Sequence, residues 1–131
     1  MHIKTCLCVI LFAFIFNFSK AQTSAPVNLS FDDYLAAIKK TDKMVLVDFN
    51  AVWCGPCKIL KPTVLKLADK NKDKIVLLDI DVDHNPAVAR TMNIQSIPLL
   101  VLYKNGKEVW RNLGLIDGGT IQDNITKFSR Q

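Results

Sequence analysis

A chain of 131 residues, half of them hydrophobic, has material for one buried core and little beyond it, which excludes a multidomain machine. Its net charge of +5, from 17 basic and 12 acidic residues, falls to about +3 without Lys4 and Lys20, the surplus of an ordinary solvated surface. No basic tract interleaves with aromatic residues, so the chain has neither a stacking platform nor a phosphate-tracking groove, and nucleic acid is excluded as a partner.

Residues 1–21 read as an export signal, with Lys4 as the positive start, Cys6–Phe16 as the apolar run and Ser19-Lys20-Ala21 as a small-x-small cleavage site. An uncleaved anchor is the alternative, but this run of about eleven residues falls short of the roughly twenty that a spanning helix needs. Lipidation would require a cysteine at the end of the run, and Cys6 and Cys8 stand at its start. The expected organisation is a signal over 1–21, a flexible mature start over 22–29, and one domain over 30–131. The protein is then exported, periplasmic in a Gram-negative cell and otherwise secreted. Cleavage leaves two of the four cysteines, Cys54 and Cys57.

Along the domain, Ser30 and Asp33 form a capping-box pattern, and Phe31, Tyr34, Leu35 and Ile38 recur at helical spacing to about Lys40. Met44–Phe49 is a short Val- and Leu-rich run that fits a strand buried on both faces. A helix follows from Pro56 to about Lys70 with Ile59, Leu60, Val64, Leu65 and Leu67 as its apolar stripe and a kink expected at Pro62. Ile75–Val82 reads as a second buried strand, and strand, helix, strand implies a right-handed crossover and a parallel pair. Asn85-Pro86 opens a short helix to about Met92. Leu99–Tyr103 and Glu108–Arg111 flank Asn105-Gly106, a strong hairpin signal, and a last helix spans about Gly119 to Phe128. The fold class is α/β, a mixed sheet of four or five strands with helices on both faces.

Two cysteines separated by two residues at a helix start have a physical use. Unpaired N–H groups and the positive end of the helix dipole stabilise a thiolate there. Cys54, at the outer end and expected to be the less covered, is the nucleophile. Cys57, one turn further in, resolves the mixed disulfide that Cys54 forms with a substrate. A zinc site is disfavoured because His84 is the one candidate ligand beside the pair, and a purely structural role is disfavoured because so small a loop removes little unfolded-state entropy. His84 itself reads as a surface residue and Trp110 as a packing residue.

The segment Val47-Asp48-Phe49 through Ala51 to Trp53-Cys54-Gly55-Pro56-Cys57-Lys58 and Pro62 resembles the active-site segment of the thioredoxins. The resemblance extends to Asp83–Pro86, Ile97-Pro98, Lys104-Asn105-Gly106 and Gly114, across nearly all of residues 30–130. It implies a thioredoxin-like fold and a protein disulfide reductase without cofactor or metal. Pro98 matches the family's cis-proline, which lets the backbone of Ile97 bond to a bound peptide. By itself Ile97-Pro98 shows only an extended dipeptide. Asp48 matches the buried acid that relays a proton to or from Cys57, and an unpaired buried carboxylate would bind its proton tightly. Trp53, Gly55, Pro56, Ile97, Pro98 and Gly114 are the implied substrate-binding residues, although Trp53 could also belong to the core.

The chain departs from the family pattern at three positions. Asn50 replaces a common aromatic residue, Asp79 stands where many members carry a lysine near the buried acid, and Leu99 replaces the usual threonine. A second acid in place of a base would disfavour ionisation of Asp48. The Gly55-Pro56 dipeptide resembles reducing members, so the expected task is reduction of disulfide-containing substrate proteins by a monomer that receives electrons from a membrane donor. The alternatives are disulfide formation or isomerisation, preparation of apocytochrome c thiols, and a non-enzymatic binding module.

Overall fold

The computed structural model describes residues 29–131; the expected signal and all but the last residue of the mature start lie outside the described residues. The elements are α1 (Phe31–Lys39), β1 (Met44–Asn50), α2 (Gly55–Lys70), β2 (Ile75–Asp81), α3 (Pro86–Thr91), β3 (Leu99–Lys104), β4 (Lys107–Leu113) and α4 (Gly118–Ser129). Among the described residues the sheet has four strands in the order β2-β1-β3-β4. β1 and β2 run parallel, while β1–β3 and β3–β4 are antiparallel.

The capping box forms as read. Ser30 Oγ accepts from the Asp33 amide at 3.1 Å, while the Asp33 carboxylate accepts from the Ser30 amide at 3.3 Å, satisfying two orphan donors of α1. The β3–β4 turn also follows its sequence. Asn105 and Gly106 take φ of +52° and +74°, the left-handed pair that a two-residue hairpin needs.

Side chains alternate strictly along central β1. Val45, Val47 and Phe49 point into a core with Tyr34 and Ile38 of α1 and Val88 of α3. Met44 and Leu46 point the other way, against Leu60 and Val64 of α2 and Ile121 and Ile125 of α4. Asp48 shares the parity of Met44 and Leu46, so the fold aims its carboxylate at α2.

Two sequence expectations need correction. β2 is an edge strand and only partly buried: Ile75 and Ile80 are buried on opposite faces, whereas Val76 is exposed. In α2 the buried stripe is Cys57, Leu60, Val64 and Leu67, while Ile59 and Leu65 are exposed. The helix continues through Pro62.

Candidate functional site

β1 delivers the chain to α2 through a tight turn in which the Cys54 amide donates to the Ala51 carbonyl at 3.1 Å. Cys54 is then the N-cap of α2, with extended backbone, and its Sγ accepts from the Cys57 amide at 3.2 Å. Cys54 and Cys57 are joined by a disulfide, their Cα atoms 5.2 Å apart. Pro56 occupies the first turn, where its missing N–H costs no hydrogen bond. The two cysteines are 4% and 5% exposed, so the expectation that Cys54 is the less covered does not hold. Hydrogen bonding distinguishes them instead. The Cys54 sulfur sits where a helix N-terminal N–H points, the position that stabilises a thiolate when the bond is reduced.

Trp53 lies on the surface, 66% exposed, rather than in the core. Its indole Nε1 donates to Asp83 at 2.7 Å. The loop bearing Asp83 is shaped by Asp81, whose Oδ1 accepts from the amides of Asp83 and His84 at 2.9 and 3.2 Å, a side-chain turn of the kind aspartate favours. Ile97 packs against Ala51, Cys54 and Cys57. With Trp53, Val82, Ile94, Gln95 and Ser96 it lines a groove of about 370 Å³.

The Ile97–Pro98 peptide bond is cis. Pro98 is buried, and its carbonyl accepts from the Gly114 amide at 2.8 Å. Gly114 takes φ of +88° with open space where a Cβ would stand. Of the expected binding residues, Trp53 and Ile97 line the groove, Pro98 and Gly114 are coupled beside it, and Gly55 and Pro56 are exposed at the start of α2. Leu99 turns into the α1/α3 core and is 5% exposed, so its side chain takes no part in the surface.

Asp48 is 2% exposed. Burial pushes its carboxyl above the ordinary aspartate value, Lys61 pulls it back down, and Asp79 pushes it up again. The condition of an unpaired buried carboxylate is not met at Asp48. Lys61 of α2 brings its ammonium to 3.4 Å from Asp48 Oδ2 and also pairs with Asp79 Oδ2. Asp79 on β2 sets a second acid beside Asp48, and a base arrives from the opposite element, α2. Asn50 has a polar use here, donating from Nδ2 to Asp79 Oδ1 at 2.5 Å and to the Asp48 carbonyl at 3.0 Å. Cys57 and Lys61, one helical turn apart, line the same recess of about 140 Å³.

The thioredoxin family model matches residues 25–127, the whole of this site and the sheet that carries it. The chain belongs to the thioredoxin family. Thioredoxin from Mycolicibacterium smegmatis is 40% identical over 96 residues, covering 72% of this chain and 86% of that protein. Thioredoxin H2 from Arabidopsis thaliana is 40% identical over 95 residues, covering 72% and 68% respectively. The crystal structure of oxidised mitochondrial thioredoxin 3 from Saccharomyces cerevisiae superposes with a TM-score of 0.67 at 28% identity, covering 75% of this chain and 90% of that one. A thioredoxin fold carrying a Cys54–Cys57 redox disulfide is a thiol–disulfide oxidoreductase, with disulfide-containing proteins as its substrate class.

The roles of Lys61 and Asp83 were missed by sequence reasoning. Lys61 had a local signal, since it lies four residues after Cys57 on the same helix face, but a lysine there reads as ordinary solvated surface. Asp83 falls in the resembling segment Asp83–Pro86, but its bond to Trp53, 30 residues away in sequence, had no signal.

Proposed function

We propose that the protein is an exported reductase of protein disulfides, working as a monomer re-reduced by a membrane electron donor. The Cys54–Cys57 pair at the mouth of α2, beside a groove lined by Trp53 and Ile97, is the observation that carries the reductase reading. Gly55-Pro56 between the cysteines supports reduction over oxidation, and the pattern of residues 1–21 supports export. A donor follows from the compartment, where a dithiol without electron supply stays oxidised.

The reduced pair transfers two electrons in two steps. The Cys54 thiolate attacks one sulfur of a substrate disulfide, a mixed disulfide forms, and the other substrate sulfur leaves as a thiolate and takes a proton. Cys57 then gives its proton to the Asp48 carboxylate and attacks Cys54 Sγ. The second substrate sulfur leaves and is protonated in turn. The substrate is reduced to a dithiol and Cys54–Cys57 is oxidised. Throughout, Ile97 holds the substrate by its backbone; among the described residues, no main-chain hydrogen bond involves its amide or carbonyl.

Equilibration with glutathione buffers tests the direction of flow. A reductase has a potential below that of the glutathione pool, and a potential well above it contradicts the proposal and indicates disulfide formation. Fractionation of cells expressing the full chain tests export: mature protein beginning at Gln22 outside the cytosol is expected, and retention of residues 1–21 in a cytosolic protein contradicts it.

A further inference from the structure

The charges around Asp48 form a shared arrangement rather than a simple pair. Asp48 and Asp79 are direct partners in the parallel β1–β2 register, so both carboxylates leave the sheet on the α2 face. Lys61 reaches down from α2 between them and pairs with both. Asn50 fixes the other oxygen of Asp79. Solvent reaches two members and not the third: the Lys61 and Asp79 side chains are 27% and 32% exposed, and that of Asp48 is 3% exposed.

The remaining surroundings add little charge. Across β1, Asp48 faces Leu100 of β3, and α4 contributes Ile121 and Ile125 to the apolar core on this face. From α2 the facing groups are Lys61 and, along the shared recess, Cys57 and Lys58. From β2 the facing charge is Asp79.

We propose that Lys61 is a positioning residue for proton transfer at Asp48, and that Asp79 is the competing anchor that sets how much of the Lys61 charge Asp48 feels. The proposal rests on Asp48 as the proton acceptor for Cys57. A lysine held by Asp48 alone would keep the carboxylate ionised and make it a poor acceptor; no lysine would leave the proton too tightly bound to be released. Sharing the ammonium with a second carboxylate sets an intermediate affinity. Because the shared ammonium is partly exposed and lines the Cys57 recess, it also marks the side on which the buried carboxyl meets solvent.

The signature is a pair of opposite shifts. In the oxidised protein the cysteines do not titrate, so the Asp48 carboxyl can be followed by its carbon-13 resonance. Lys61→Gln is expected to raise the Asp48 midpoint by about one pH unit, and Asp79→Asn to lower it, because it removes a neighbouring negative charge and releases the lysine to Asp48. Lys61→Arg restores the wild-type midpoint. The pH profile for attack of Cys57 on a preformed Cys54 mixed disulfide moves in the same directions. Shifts of the same sign, or no shift in either variant, overturn the proposal. Asp48→Asn separates the two levels: if this variant keeps the inflection of the resolution rate, the proton-acceptor reading of Asp48 fails, whatever the titrations show.

Discussion

The Trp53 indole is tied to Asp83 by a 2.7 Å hydrogen bond, so the residue before the reactive pair is anchored to the loop after β2. The ring remains on the surface and forms one wall of the groove beside Cys54. Without this bond the indole would be free to rotate and would have to be ordered each time a substrate docks. Asp83→Ala is expected to lower kcat/KM for a protein disulfide about 2- to 12-fold, the equivalent of a hydrogen bond worth about 0.5–1.5 kcal/mol. Asp83→Asn keeps an acceptor and should lose less. Steady-state reduction of insulin disulfides checks both.

Burial of Asp48 has a cost to stability that depends on pH. The folded protein holds the Asp48 proton more tightly than the unfolded chain, whose ordinary value is 3.8. The contribution is fully present below that value and is lost as pH rises through the folded midpoint, where a charge must be kept buried. Asp48→Asn removes the titration. Urea unfolding of the oxidised proteins is expected to show the variant roughly 1–3 kcal/mol more stable than wild type at alkaline pH, with the difference closing towards pH of about 4.

Gly114 answers to backbone conformation rather than to space. At φ of +88° a side chain is strained, yet a Cβ would meet nothing within 4 Å. Gly114→Ala is therefore expected to cost about 1–2 kcal/mol in chemical denaturation, through the backbone alone. The strain falls on the residue whose amide holds the Pro98 carbonyl at 2.8 Å, so substrate reduction should slow as well.

Local signals in the sequence translated into structure where one conformation satisfies them. Ser30 and Asp33 can close a capping box only at a helix start, and Asn105-Gly106 tolerates the two positive φ angles that most residues resist. The cysteine spacing likewise placed the redox pair on one helical turn. Signals that depend on what lies across space were less legible. Ile75–Asp81 is apolar enough for a central strand, and only the strand order makes it an edge. Ile59 and Leu65 fit a helical stripe but face away from the core, because α2 packs through Leu60, Val64 and Leu67. The acid at Asp79 was visible, whereas the approach of Lys61 to it and to Asp48 required knowing which helix covers β1.

The division of labour between the two cysteines is the central claim, and Cys57→Ser tests it most directly. With the resolving sulfur removed, the mixed disulfide on Cys54 cannot be released from within the protein. Intact-mass analysis and peptide mapping after exposure to a disulfide-bonded substrate are expected to find substrate trapped on Cys54 of this variant. Cys54→Ser, whose remaining sulfur lies one turn inside the helix, should trap little. The opposite pattern, with trapping on Cys57 and none on Cys54, would contradict the account.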